Sequence, residues 1–196
     1  MRLKENPSQT AGPYIHIGAT PNACGIEGVY KEDLGRTMVS AKTLGARISV
    51  TGHVFDGTGT PLKDALVEIW QADAGGIYPG RAGADPAFTG WGRQAVDGET
   101  GQFRFETIKP GSAPFPDGRP MAPHITFWIV ARGINLGLHT RMYFGDEAAA
   151  NAADPVLARI EHAVRRPTLI APADGKGGYT FDIHLQGDNE TVFLDV

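Results

Sequence analysis

Hydrophobic and polar side chains alternate in several short segments of the chain. Between residues 48 and 54 every second residue is apolar. Such alternation gives a strand one core face and one polar face. Turn-forming residues follow at 56–61, and a second apolar run follows at 65–70. We therefore predict a β-hairpin within residues 50–78.

Similar segments recur between turn signals at the spacing typical of a β-sandwich. The predicted strands are residues 46–55, 65–72, 102–107, 124–132, 137–143, 179–186 and 191–196. One helix is predicted at 155–166, because Asp154 can cap it, Pro155 suits its first position and apolar residues follow near helical spacing.

The first 45 residues differ in character from the rest of the chain. They contain many Pro, Gly, Ser and Thr residues and little periodicity, so we predict an extended arm that packs on a partner, with short helical turns near 31–34. Residues 46–196 are predicted to form one sandwich domain, since neither a repeat nor a linker interrupts them. The predicted fold is all-β: a single-domain β-sandwich with an extended N-terminal arm and one short helix.

The composition of the chain limits the classes of partner that it is expected to bind. The 196 residues carry a net charge of −4 and no basic block beyond Arg165-Arg166, which argues against nucleic acid. No apolar run approaches the ~20 residues of a membrane span, so no membrane association is expected. The single cysteine, Cys24, excludes an internal disulfide and suits a reducing compartment. We expect a cytoplasmic protein with Cys24 buried.

Among the six histidines, only His124 is a candidate metal ligand. It begins an apolar strand, but the position two residues on is Thr126, a poor ligand for a transition metal. No histidine or cysteine cluster suggests zinc. The residues alone therefore predict no metal site and no catalytic residue.

The run Val67-Glu68-Ile69-Trp70-Gln71-Ala72-Asp73, closed by Gly76-Ile77-Tyr78, resembles the signature of intradiol ring-cleavage dioxygenases. The similarity continues at 92–93, 108–111, 123–125, 131–133, 140–144 and 179–183. This resemblance implies the fold of that family. It also implies a relationship to enzymes that hold a non-haem ferric ion, Fe(3+), through two tyrosinates and a His-x-His pair.

The departures from the family pattern concern the iron ligands. His124-Ile125-Thr126 replaces the His-x-His pair, and neither 112–116 nor 79–87 contains the expected tyrosine. Three of the four ligands implied by the resemblance are absent. The resemblance thus implies an iron-free chain that pairs with an iron-bearing β chain of the same fold. Fe(3+) is expected in that partner, with the active site between the two chains and several αβ pairs in a larger oligomer.

The resemblance also implies which residues of this chain meet a small aromatic substrate. Arg132 is expected to bind a carboxylate of the substrate, since a guanidinium can meet a carboxylate bidentately. Residues 7–14 resemble the arm of the iron-free chains, which implies that Thr10, Gly12, Pro13 and Tyr14 contribute to the pocket wall. We interpret Glu68 and Gln71 as a structural hydrogen-bonded set.

Two other functions stay open at this point. Small β-sandwiches of the transthyretin-like type share the strand pattern, so the chain could be a non-catalytic binding module. A self-sufficient metalloenzyme would need unexpected ligands such as His124, His16 or Tyr143. Iron content would separate these possibilities.

Overall fold

Two β-sheets packed face to face form the protein, whose computed structural model describes residues 10–135 and 137–195. In chain order the elements are α1 (Pro13–Ala19), β1 (Arg47–Phe55), β2 (Leu66–Trp70), β3 (Trp91–Ala95), β4 (Gln102–Ile108), β5 (His124–Val130), β6 (Leu138–Phe144), α2 (Ala148–Ala153), β7 (Ile170–Ala171), β8 (Gly178–Thr180) and β9 (Ile183–His184). Two 3₁₀ segments, Leu157–Arg159 and Ala163–Leu169, lie between α2 and β7. The all-β sandwich prediction is confirmed.

The order of the strands within each sheet does not follow their order along the chain. One sheet has the order β4-β1-β8, with β9 also paired to β1, and the other has the order β3-β2-β5-β6-β7. The pairs β1–β8, β1–β9 and β6–β7 are parallel, whereas β1–β4, β2–β3, β2–β5 and β5–β6 are antiparallel.

The hydrophobic core lies between the two sheets. Burial alternates along β1 as the sequence predicts, with Val50 and Val54 fully buried. At the centre, the ring of Phe127 on β5 lies 5.8 Å from that of Phe103 on β4 and 5.0 Å from that of Phe181. These aromatic contacts join the sheets, and truncation of one such ring to alanine costs about 3–5 kcal/mol.

The predicted β-hairpin is wrong, because β1 and β2 belong to different sheets. β1 pairs with β4, whereas β2 pairs with β3 and β5. The turn after β1 closes only one bridge, between Phe55 and Pro61, before the chain crosses to the other sheet. An alternating pattern shows which face of a strand is buried, and both strands bury that face in the same core.

The helix predicted at 155–166 is also wrong. Asp154 does accept hydrogen bonds from the backbone N–H groups of Val156 and Leu157, both at 2.8 Å, but only the two separate 3₁₀ segments Leu157–Arg159 and Ala163–Leu169 follow. Val164, assigned to the apolar face, is 87% exposed. Without a continuous buried face the segment does not gain the packing that a helix needs. The α-helices of the described chain are instead α1 and α2.

The last predicted strands are only partly formed. Residues 179–186 are split into β8 and β9, with the predicted alternation of buried Tyr179, Phe181 and Ile183 retained. Residues 191–195 are extended without forming a strand, although the N–H of Leu194 donates to the carbonyl of His139. Val196 lies outside the described residues.

The second half of the N-terminal segment packs against the sandwich of its own chain. Met38 is 1% exposed and belongs to the main core, and the Gly35 carbonyl accepts a hydrogen bond from the N–H of Arg93. Cys24 is exposed, so its predicted burial is wrong: it lies in a turn held by backbone bonds rather than by core packing. No helix among the described residues is long and apolar enough to span a membrane.

Candidate functional site

Buried polar groups hold together the loops that follow β2. Gln71, which is fully buried, donates to the carbonyl of Ile108 at 2.9 Å and accepts from the hydroxyl of Thr107 at 2.8 Å. Asp73 accepts from the N–H groups of Gly75, Ile77 and Asp85 through its two carboxylate oxygens. The expectation that Gln71 is structural is confirmed, since its amide ties the end of β2 to the end of β4.

Glycine is required where this loop meets the turn at 109–112. Gly76 has a φ of +81°, and a Cβ there would lie 1.9 Å from the carbonyl oxygen of Ser112. The close approach fixes Tyr78, two residues later, next to the start of β5. Its ring stacks on Trp70 with centroids 6.0 Å apart.

His124 is the residue that the resemblance relates to the iron-binding His-x-His pair of the family. Nδ1 lies 2.8 Å from the carbonyl oxygen of Ala122, and Nε2 lies 3.1 Å from the hydroxyl oxygen of Tyr78. A carbonyl can only accept, so Nδ1 carries the proton and Nε2 accepts from Tyr78. Both ring nitrogens are therefore used by the protein itself.

Burial keeps this cluster neutral. Burial, reinforced by the charge of Arg141, lowers the pKa of His124 from 6.5 to about 4. Burial also raises the pKa of Tyr78 and of Tyr143, although Arg141 opposes both shifts. Neutral imidazole and protonated phenols are the stable forms at pH 7.

Asp154 extends the same cluster away from His124. One carboxylate oxygen accepts from the Ala122 N–H at 2.8 Å, and the other lies 3.2 Å from the hydroxyl of Tyr143. The Tyr143 ring lies 5.8 Å from that of His124. The sequence identified Asp154 only as a helix cap, and no spacing signal links residues 78, 124 and 154.

The residues present do not fit a ferric ion. The position of the expected tyrosine in 112–116 contains Ala113, which is 2% exposed, and Thr126 follows His124 on the strand face. Ferric iron prefers anionic oxygen donors, but the hydroxyls of the two phenols here are engaged within the chain, Tyr78 with His124 and Tyr143 with Asp154. Within 10–135 and 137–195 there is no group of three or more His, Cys, Asp or Glu side chains that could hold a metal. His16 lines a different cavity, with Asp64, and does not meet this cluster.

The outer face of β2 and β3 carries a paired set of polar residues. Arg93 Nε lies 2.6 Å from a carboxylate oxygen of Glu68, and its guanidinium stands 5.0 Å from the centre of the Trp91 ring. The indole N–H of Trp91 also donates to Glu68 at 3.3 Å. Glu68 is half-buried and paired, as expected of a structural residue.

Arg132 lies in the turn that follows β5, apart from the His124 cluster. Its side chain is 69% exposed, and Nε lies 3.3 Å from a carboxylate oxygen of Asp64. Arg132 and Gly133 line a cavity of about 510 Å³ together with Asp56 and Gln186. Asp64 could not be identified from the sequence, because only the folded chain brings it to Arg132.

Thr10 of the N-terminal segment meets this turn directly. Its hydroxyl oxygen accepts a hydrogen bond from the backbone N–H of Gly133 at 2.8 Å. Thr10 and Arg132 were both predicted to be site residues from separate parts of the sequence. The structure brings them to one place.

The other three predicted residues begin α1. Gly12 occupies the N-cap position with extended φ and ψ, and its carbonyl accepts from the N–H of Ile15. Pro13 is the first helical residue, where its missing N–H costs nothing. Tyr14 is 84% exposed, so its ring is open to a partner or ligand. Residues 7–9 of the predicted arm lie outside the described residues.

Comparison with known proteins places the chain in a family. The family model described as "Dioxygenase" matches residues 26–187. The solved dioxygenase domain of a dioxygenase carbohydrate-binding protein fusion from Streptomyces sp. SirexAA-E has a TM-score of 0.56, with 27% identity over 95% of this chain and 98% of that one. The chain belongs to the intradiol dioxygenase family.

Within that family, the chain is similar to both subunits of one enzyme. The chain is 46% identical to the protocatechuate 3,4-dioxygenase alpha chain of Pseudomonas putida, over 98% of this chain and 97% of that one. It is 39% identical to the protocatechuate 3,4-dioxygenase beta chain of Burkholderia cepacia, over 84% and 75% of the two chains. The chain is thus a full-length homologue of alpha chains and a more distant homologue of beta chains.

Proposed function

We propose that this chain is the α subunit of a heteromeric protocatechuate 3,4-dioxygenase of aromatic catabolism. The enzyme inserts both atoms of dioxygen into 3,4-dihydroxybenzoate to give 3-carboxy-cis,cis-muconate. The observation that carries the proposal is the full-length similarity to an alpha chain, joined to a His124 cluster that does not fit iron. A free-standing metalloenzyme does not account for the His124 cluster, and a transthyretin-like module does not account for the similarity to an alpha chain.

In this proposal the iron belongs to a partner. A β chain of the same fold holds Fe(3+), whose role when bound is to make the catecholate ring susceptible to dioxygen. The present chain binds and orients the substrate and helps to close the site. His124, with both ring nitrogens engaged, keeps a structural role.

Arg132 is the residue that we assign to the substrate carboxylate. Its guanidinium is exposed in the unpartnered chain and is held by Asp64 on one side only. A partner that covers the turn would exclude water there, and a bidentate guanidinium–carboxylate pair gains strength as water is excluded. Asp64 would position the guanidinium rather than touch the substrate.

The N-terminal segment supplies the contact with the partner in this account. Nine large hydrophobic residues are exposed in the described part of the chain, and seven of them lie between residues 14 and 44: Tyr14, Ile17, Ile26, Val29, Tyr30, Leu34 and Leu44. Such a concentration of exposed apolar side chains marks a protein interaction surface. An obligate pair of chains would bury about 2,000 Å² or more.

The Thr10–Gly133 hydrogen bond connects these two roles. It ties Thr10 to the turn beside Arg132, and in this proposal Gly12, Pro13 and Tyr14 contribute to the wall of the substrate pocket. Pairs of α and β chains would then assemble by symmetry into a larger oligomer, as is common for soluble enzymes. We place the assembly in the cytoplasm.

Coexpression tests the proposal. The chain is tagged and expressed with a β-chain homologue from the same genome, and ring cleavage of 3,4-dihydroxybenzoate is followed. We expect the two chains to copurify in equal amounts and to be active together, with neither active alone. Activity of this chain in the absence of the β chain, or failure of the chains to copurify, would refute the assignment.

A further inference from the structure

A second cavity, of about 490 Å³, is separate from the one beside Arg132. Phe115, Val156 and Ile160 give it apolar lining, and Arg141 gives it a cation close to the His124 cluster. Its volume lies within the range of small-molecule sites, about 300–1,000 Å³. It shares no lining residue with the cavity beside Arg132.

Arg141 is the unusual member of this lining. The residue is half-buried, and its guanidinium contacts the sulfur of Met121 at 3.4 Å and the hydroxyl of Tyr143. It forms no ion pair with any carboxylate in the described residues. A half-buried cation without an anionic partner is uncommon, because it has lost water without gaining a counter-charge.

Asp154 does not supply that counter-charge directly. It reaches Arg141 only through the Tyr143 hydroxyl, and its oxygens already accept from three backbone N–H groups, those of Ala122, Val156 and Leu157. These donors balance its negative charge, so Arg141 remains available to a ligand.

A second arginine of the lining is also free. The Arg159 guanidinium stands 5.2 Å from the centre of the Phe115 ring and forms no ion pair among the described residues. Arg165 differs, since it is paired with Glu190 at 2.8 Å. Two acidic residues, Glu161 and Asp195, also line the cavity, and both are exposed. Among the arginines of the lining, Arg141 and Arg159 are thus the two without an ion-pair partner in the described residues.

We propose that this cavity binds a small aromatic carboxylate. Its carboxylate pairs with Arg141, whose planar guanidinium matches two oxygens at once. Its ring packs against Phe115 and the aliphatic side chains of Val156 and Ile160. Arg159, whose guanidinium stands over the Phe115 ring, supplies the second cation of the site.

The apolar walls select an aromatic ligand over an inorganic anion. Sulfate or phosphate would meet the arginines but would leave the apolar lining without a contact, whereas a benzoate satisfies both. The site does not depend on the assignment of Arg132, because the two cavities are separate. It adds a second aromatic carboxylate site to the one proposed between the chains.

The test is calorimetric titration of benzoate into the full-length chain with the partner that copurifies, and every protein compared carries Arg132→Ala so that the site proposed between the chains does not contribute to the signal. We expect a saturable site whose affinity falls at least tenfold in Arg141→Gln and severalfold in Arg159→Gln. Benzamide, which keeps the ring and removes the charge, should bind at least tenfold more weakly. Arg104→Gln is the matched control, because Arg104 is an exposed arginine on β4 that lines a different cavity.

Four results would overturn the proposal. Benzoate that does not saturate, or an Arg141→Gln variant with wild-type affinity, removes the site. Sulfate that binds as tightly as benzoate removes the aromatic part of it. Should Arg141→Gln fail to fold, unchanged benzoate affinity in Arg159→Gln would decide against the proposal.

Discussion

The hydroxyl oxygen of Thr10 accepts a hydrogen bond of 2.8 Å from the backbone N–H of Gly133. This bond joins the start of the described chain to the turn after β5, across more than 120 residues of sequence. It places the N-terminal segment beside Arg132. The relation between the two proposed parts of the substrate site thus depends on one side-chain acceptor.

Replacing Thr10 by valine keeps the shape of the side chain and removes that acceptor. A net contribution of about 0.5–1.5 kcal/mol is expected for the bond, so KM for 3,4-dihydroxybenzoate should rise roughly two- to tenfold with iron content unchanged. Steady-state kinetics of the coexpressed complex would measure this. Thr10→Ser, which restores the hydroxyl, should behave like the wild type; equal kinetics in all three proteins would contradict the role of Thr10.

Arg132→Ala should affect substrate binding more strongly. Loss of one partner of a desolvated charge pair costs about 2–5 kcal/mol, so kcat/KM should fall by roughly 30-fold or more. Asp64→Asn should give a smaller rise in KM, since Asp64 acts only through the guanidinium. The comparison substrate is catechol, which lacks the carboxylate and should be insensitive to both changes. An Arg132→Ala enzyme with unaltered kinetics would remove this residue from the site.

The neutral imidazole of His124 makes stability depend on pH. The folded chain binds its proton only near pH 4, whereas an unfolded histidine titrates near 6.5. Stability from this group is complete above about pH 6.5 and is lost as the pH falls toward 4, by up to roughly 3 kcal/mol. Unfolding temperatures of the complex between pH 4 and 7 should therefore vary less in His124→Gln than in the wild type. His162→Gln, which changes an exposed histidine, should retain the wild-type profile; a His124→Gln profile as steep as the wild type's would exclude this cause.

Gln71 offers a test of the loop architecture. Gln71→Ala leaves the hydroxyl of Thr107 and the carbonyl of Ile108 without their buried partner, which should cost about 1–3 kcal/mol of folding free energy. Thermal unfolding would measure the loss. Gln102→Ala, at an exposed position of β4, serves as the control and should change stability little. Similar unfolding temperatures for both variants would mean that the Gln71 network is dispensable.

The sequence predicted the core strands well, because each buries an alternating apolar face. It did not predict β3, whose residues Trp91–Ala95 show no such alternation and become a strand by pairing with β2. It also assigned β1 and β2 to one hairpin, since alternation does not specify a strand's partner. The residues of a segment show whether it forms a strand, but they do not show which other strand it pairs with.

At the candidate site, the sequence showed which iron ligands are absent, but it did not show which contacts His124 makes in their place. The absence of a second histidine at Thr126 could be seen directly. The hydrogen bond from Tyr78 to His124, and the position of Arg141 beside both, required the fold, because residues 78, 124 and 141 have no sequence spacing that links them. Asp64 and the Thr10–Gly133 contact were hidden for the same reason.

Iron analysis of the separated chains tests the central claim most directly. The tagged chain is purified alone and as a complex with its β partner, and iron is measured together with the visible tyrosinate-to-iron absorption band. We expect one ferric ion per αβ pair and none in this chain by itself. Stoichiometric iron and a visible band in the isolated chain, or two irons per pair, would contradict the account.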